Sequence, residues 1–126
     1  MQLTDVGKLQ QALQEARTTI PGVEGAAVVS AEGLTIASAL PPQHDEERLV
    51  AVAAAMLDVG QRTRSELELG QLEQVYVRSA NGYVVVIPAG NDAVLAVILG
   101  KDAKLGLVFL NLRRFADQVA QALGSV

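Results

Sequence analysis

Residues 45–70, DEERLVAVAAAMLDVGQRTRSELELG, are the most clearly patterned stretch of the chain. Apolar residues recur in it at the spacing of one helical face: Leu49, Ala53, Met56, Gly60 and Leu67. Acidic residues at its start suit the positive end of a helix dipole, and Gly70 is a typical residue just beyond a helix end. The pattern predicts one long helix over residues 45–70.

This helix carries more apolar surface than one buried face requires. Val50, Ala54 and Leu57 lie on one shoulder of the stripe, and Val52 and Val59 lie on the other. A small domain covers one face of a surface helix, so the remaining apolar surface needs a second subunit. We therefore predict a homodimer with Val50, Ala54 and Leu57 at its interface. An unusually buried helix within a monomer is the alternative.

Composition restricts the class of protein. A chain of 126 residues predicts a single domain, residues 1–126. The net charge of −4, without any run of Lys or Arg, argues against nucleic acid or an anionic membrane surface as the partner. The absence of Cys excludes disulfides and thiolate chemistry. No signal-peptide pattern and no apolar run of membrane-spanning length occurs, so we expect a cytoplasmic protein.

The N-terminal part of the chain predicts a helix followed by a hairpin. A helical stripe runs through the first twenty residues: Val6, Leu9, Leu13, Ala16 and Ile20. After Pro21-Gly22, two β-rich runs, residues 26–30 and 34–38, flank Gly33. Glycine adopts a positive φ without steric cost, so Gly33 marks the turn.

The C-terminal part predicts three strands and a helix. Residues 72–79 and 83–87 flank Ala80-Asn81-Gly82, and Asn-Gly is a strong hairpin signal. Residues 93–99 are apolar almost throughout, which predicts a central strand covered on both faces. The last helix, residues 105–123, has its own stripe: Val108, Leu112, Phe115, Val119 and Leu123. The order α-β-β-α-β-β-β-α with consecutive hairpins predicts an α+β domain with a five-stranded antiparallel sheet between helices.

Several segments resemble the Roadblock family, which includes roadblock-type dynein light chains and the bacterial gliding regulator MglB. Residues 21–38, PGVEGAAVVSAEGLTIAS, are similar to the family's opening hairpin, with Glu32 in the place usually held by Asp. Residues 72–77 (LEQVYV), 82–90 (GYVVVIPAG) and 105–107 (LGL) are similar to later family segments. The resemblance covers nearly the whole chain, and it depends on the combined order and spacing of these segments.

The resemblance implies a profilin-like fold with the first and last helices on one sheet face and the central helix on the other. It implies dimers that pair edge strands and central helices. It also implies regulation or scaffolding of small Ras-like GTPases, with MglB-like members acting as GTPase-activating partners. We therefore expect a homodimer, or a heterodimer with a paralogue, that regulates a small Ras-like GTPase.

The residues themselves indicate no catalytic machinery, so we expect no catalytic residue, no cofactor and no metal. His44 is the only histidine and has no partners in a metal or triad pattern. The sequence Gly100-Lys101-Asp102 lacks the surrounding Gly and Ser or Thr of a phosphate-binding loop. Four arginines could in principle donate positive charge to the phosphoryl-transfer site of a partner: Arg62, Arg64, Arg113 and Arg114. The simpler interpretation is that they are solvated or form surface ion pairs, as exposed arginines usually do.

One polar sector of the central helix remains for a partner protein: Asp58, Gln61, Arg62 and Ser65. Two copies of this sector in a two-fold dimer would form a shallow platform of mixed charge, flanked by Ala51 and Ala55. By the resemblance, we expect a Ras-like GTPase to dock there. The alternative function is a non-catalytic dimeric scaffold or adaptor in a signalling or motor complex. A small-ligand sensor ranks last, because no polar cluster interrupts the apolar pattern.

Overall fold

The computed structural model describes the backbone of residues 3–124 and the side chains of residues 6–124. Within these residues the elements follow the predicted order: α1 (Leu3–Thr19), β1 (Val23–Ser30), β2 (Thr35–Ala39), α2 (Glu46–Glu66), β3 (Val75–Ser79), β4 (Gly82–Ala89), β5 (Ala93–Gly100) and α3 (Leu105–Gly124). The strands form one antiparallel sheet in the order β2-β1-β5-β4-β3. The apolar strand β5 is central and buried, as predicted.

Two cores of unequal size lie on the two faces of the sheet. Helices α1 and α3 cover one face, where Leu13, Leu95 and Leu112 are fully buried within the larger core. Helix α2 covers the other face, where Leu49 and Met56 pack in the smaller core. The predicted fold class, with the first and last helices opposite the central one, is confirmed.

Helix α2 ends earlier than the sequence predicts. Its last residue is Glu66, and Glu68 takes the left-handed conformation with φ of 55°. The amide of Glu68 donates to the carbonyl of Ser65 at 3.3 Å, and that of Leu69 donates to the carbonyl of Arg64 at 2.9 Å. These bonds form a Schellman cap, which usually takes Gly at the left-handed position. The prediction that Gly70 ends the helix is therefore wrong.

Leu67 shows the consequence of this early end. It lies beyond the helix and is 66% exposed. Its place in the predicted buried stripe is therefore wrong, although the other four members of the stripe are buried. The apolar spacing therefore predicted the buried face of α2 correctly, but the predicted helix was too long at its C-terminal end.

The two hairpins differ in what their glycines do. Gly33 has φ of 86° and open space around it, so it serves the turn as predicted. Gly82 is instead the first residue of β4 and pairs with Ser79, so the turn consists of Ala80 and Asn81 alone. A Cβ on Gly82 would lie 2.6 Å from the carbonyl oxygen of Leu99. Residue 82 must therefore be glycine, because a side chain there would prevent β4 from lying this close to β5. Strand β3 also begins at Val75, three residues later than predicted.

Candidate functional site: the surface of α2 and β3

The buried stripe of α2 holds the helix close to the edge strand β3. Gly60 is buried, and a Cβ added to it would lie 2.4 Å from Cγ2 of Val75 and 3.1 Å from Cδ2 of Leu72. Val is stiff at χ1, so the helix can pass this close to Val75 only because residue 60 is glycine. The contact brings the exposed residues around Gly60 next to the edge of the sheet.

The predicted interface residues are only partly free. Val50 and Leu57 are half-buried and pack against the smaller core of the same chain, while Ala54 is exposed. The loop residue Leu40 packs against that core as well. This shoulder of α2 therefore has less free apolar surface than helical spacing alone indicates. Pairing through Val50, Ala54 and Leu57 stays an untested prediction and is the alternative to pairing through the opposite shoulder.

The other shoulder of α2 carries the larger exposed apolar surface. Val52 is 46% exposed and Val59 is 60% exposed. Val77, which is 52% exposed, lies on the same sheet face, because its partner Val84 packs against the smaller core. We call Val52, Val59 and Val77 the α2–β3 ridge. Sequence reasoning noted Val52 and Val59 but missed Val77, because only the strand order shows that β3 is an edge.

Strand β3 presents an open backbone edge beside this ridge. It pairs with β4 in regular register from Val75 to Ser79, and no other strand of the described residues pairs with its outer side. Within residues 6–124, no side chain forms a hydrogen bond to its backbone. An unpaired row of N–H and C=O groups is a template for another strand. An open edge and an apolar ridge therefore lie side by side.

The predicted docking residues lie together on the outward side of α2. Asp58, Arg62 and Ser65 are exposed, and Gln61 is half-buried. The Oε1 atom of Gln61 accepts a hydrogen bond from Nε of Arg64 at 2.8 Å. The sector is polar, carries both signs of charge and adjoins the ridge through Val59.

The remaining candidate residues form surface contacts. An amino group of Arg113 lies 3.4 Å from Oε1 of Glu73, and Nε2 of His44 lies 3.9 Å from Oε1 of Glu24. Asp45 caps α2 by accepting from the amide of Glu47 at 3.2 Å, as its position at a helix start favours. No group of three metal-ligating side chains occurs among the described residues. None of the described helices has the length and apolar character to cross a membrane.

A cleft of about 800 Å³ lies at one end of the sheet, away from the ridge. Its lining includes Glu24, Lys101 and Lys104, which are all exposed. Because these charged side chains are exposed, the cleft holds no charged group in a fixed position that could orient a small ligand.

Comparisons with known proteins agree with this architecture. Residues 9–99 match the Roadblock/LC7 domain family. An uncharacterized protein of Methanocaldococcus jannaschii is 35% identical over 98 residues, which cover 78% of this chain and 85% of that protein. The gliding protein MglB from Thermus thermophilus has a TM-score of 0.85 at 17% identity, with 100% of this chain and 96% of MglB covered. Profilin II from Acanthamoeba castellanii has a TM-score of 0.58 at 17% identity, with 86% and 97% covered.

The two kinds of likeness carry different weight. The structural neighbours are below 25% identity, so they show that the fold is profilin-like and shared with MglB. The match of residues 9–99 and the archaeal relative establish common descent, and this chain therefore belongs to the Roadblock/LC7 domain family.

Proposed function

We propose that this chain forms a homodimer that binds a small Ras-like GTPase and stimulates its hydrolysis of GTP. The observation that carries the proposal is the α2–β3 ridge beside the open edge of β3. Burial of such an apolar patch is the main driving force for association, and an unpaired strand edge supplies hydrogen bonds for it. The family resemblance supports the dimer and suggests the class of partner.

The dimer is built around a two-fold axis next to β3. Pairing of the two β3 strands would extend the sheet across the axis and bring Val77 of the two copies close together. Val52 and Val59 of the two α2 helices would then pack against each other. An interface of this kind is self-complementary, as two-fold dimers require.

Two variants on opposite shoulders of α2 test this arrangement. Val59→Glu places a carboxylate in the proposed interface and should give a monomer of 13.2 kDa at micromolar concentration in light scattering. Ala54→Glu, on the exposed part of the other shoulder, should leave the dimer intact. If Ala54→Glu dissociates the dimer and Val59→Glu does not, the interface lies on the shoulder of Val50, Ala54 and Leu57. A monomeric parent protein would refute the dimer.

The GTPase would dock on the outward sectors of the paired α2 helices. Asp58, Gln61, Arg62 and Ser65 of both copies would form one shallow polar platform, which suits a reversible protein partner better than a small molecule. Arg64 is bonded to Gln61 and Arg113 lies against Glu73. The proposed stimulation uses contact that orders the catalytic groups of the GTPase, and this mechanism requires no arginine donated in trans.

A paired charge reversal tests the platform. Asp58→Arg with Arg62→Glu leaves the net charge unchanged and should reduce both binding and stimulated hydrolysis of a small Ras-like GTPase from the same genome. Arg114→Glu with Asp117→Arg is the matched control, because both residues are exposed on α3, on the opposite side of the sheet. If the Asp58/Arg62 variant acts like the parent, the platform is not the docking site. Binding without any stimulation by the parent would favour the scaffold function.

A further inference from the structure

The two edge strands of the sheet, β2 and β3, differ in regularity and in what covers them. Strand β3 is exposed and regular, as described above. Strand β2, at the opposite edge, is half-covered by α1 and carries an irregularity. Val28 pairs with Ala37 and Val29 pairs with Thr35, so Ile36 is the extra residue of a bulge. A bulge twists an edge away from the geometry that a new strand needs.

A side chain from α1 closes the β2 edge at one point. The amide of Ser38 donates to Oε1 of Gln10 at 3.0 Å, and Nε2 of Gln10 donates to the carbonyl oxygen of Ser38. The carboxamide of Gln10 thus engages both backbone groups of one residue, as a neighbouring strand would. We call this two-point contact the Gln10 clamp.

The backbone geometry shows which groups the clamp occupies. In an antiparallel strand the N–H and C=O of a residue point to the same side, and successive residues alternate between sides. The backbone groups of Ser38 that meet Gln10 therefore point away from β1, towards the free edge. The hydroxyl of Ser38 is also held, since it donates to Oε1 of Glu46 in the first turn of α2. Ser38 is thus fixed by both flanking helices.

We propose that the Gln10 clamp closes the β2 edge to strand addition, so that a second copy of this chain can add only at β3. This inference rests on the dimer part of the proposed function and is independent of the GTPase. A two-fold pairing consumes the β3 edge of both copies and leaves two β2 edges outside. With those edges closed the assembly ends at two copies, whereas open β2 edges would let it grow into longer sheets.

Hydrogen exchange of the Ser38 amide tests the clamp directly. In the parent protein this amide should exchange slowly although it points out of an edge strand. Gln10→Ala removes the clamp while keeping a good helix former, and should speed exchange at Ser38 by about tenfold, as loss of one hydrogen bond predicts. Gln11→Ala is the matched control, because Gln11 is exposed on the same helix and its side chain donates to Glu15 of α1 and not to Ser38. Equal exchange at Ser38 in the parent and in Gln10→Ala would overturn the clamp.

Molar mass as a function of concentration tests the consequence for assembly. Gln10→Ala should form species larger than those of the parent as concentration rises, and Gln11→Ala should not. A Gln10→Ala/Val77→Glu variant keeps only the β2 edge for pairing, so its mass should stop at two copies. If Gln10→Ala speeds exchange at Ser38 but has the same mass as the parent at every concentration, the Gln10 clamp does not prevent strand addition at β2. The mass of the parent separately reports whether the dimer itself exists.

Discussion

At the scale of single residues, Gly60 decides how closely α2 approaches the sheet. Gly60→Ala gains about 1 kcal/mol of helix propensity but forces its Cβ against Val75, where overpacking costs about 1–3 kcal/mol. We expect a net loss of stability in urea unfolding. Gly7→Ala is the control, because that helical glycine has open space around it and should only gain stability. Equal gains from both variants would show that α2 can move away from β3 freely.

The cap of α2 offers a second test at this scale. Glu68 holds the left-handed conformation that favours glycine, which costs a residue with a side chain about 1–2 kcal/mol. Glu68→Gly should therefore stabilise the protein. Glycine also makes the unfolded chain more flexible, which opposes folding, so we expect a net gain in unfolding free energy of up to about 1 kcal/mol. Gly70→Ala, at φ of 86°, should destabilise it. Thermal unfolding of the two variants measures both effects, and a loss of stability in Glu68→Gly would contradict this account of the cap.

At the scale of the element, the two shoulders of α2 differ in what they contact. Leu57 packs within its own chain, so Leu57→Glu should lower the unfolding free energy by about 1–3 kcal/mol even without a partner. The measurement is urea unfolding in a Val59→Glu background, which removes dimerisation from the comparison. Ala54→Glu in the same background should change stability by less than about 0.5 kcal/mol, as exposed sites usually do. Equal losses would mean that Leu57 is not part of the protomer's core.

At the scale of the whole molecule, the unequal cores predict uneven stability. Of the four buried residues of α2, Ala53 and Gly60 bury little side chain, whereas α3 buries Leu112 and Phe115. In the dimer, α2 would gain protection from its partner. We therefore expect Val59→Glu to speed amide exchange in α2 by about tenfold or more while α3 changes little. Hydrogen exchange followed by mass spectrometry resolves the two helices, and parallel changes in both would argue against an interface on α2.

The sequence by itself determined the order of the elements, the central place of β5 and the buried face of α2. Each of these follows from local periodicity, because a side chain's spacing along a helix or strand sets the face it occupies. The turn at Gly33 was equally predictable, since an open turn with positive φ favours glycine. The polar sector of α2 could be placed on one side of the helix from the same spacing, and its role in docking stays a prediction.

Only the tertiary structure decided which apolar surface remains free. Val50 and Val52 look equivalent in the pattern of α2, but the smaller core half-buries Val50 and leaves Val52 exposed on the side of Val84 in β4. The end of α2 depended on a left-handed Glu68 that residue preference disfavours. The Gln10 clamp joins residues 28 positions apart, and no local pattern indicates such a contact. Burial and edge exposure are properties of the assembled sheet, so they arise only once distant segments pack.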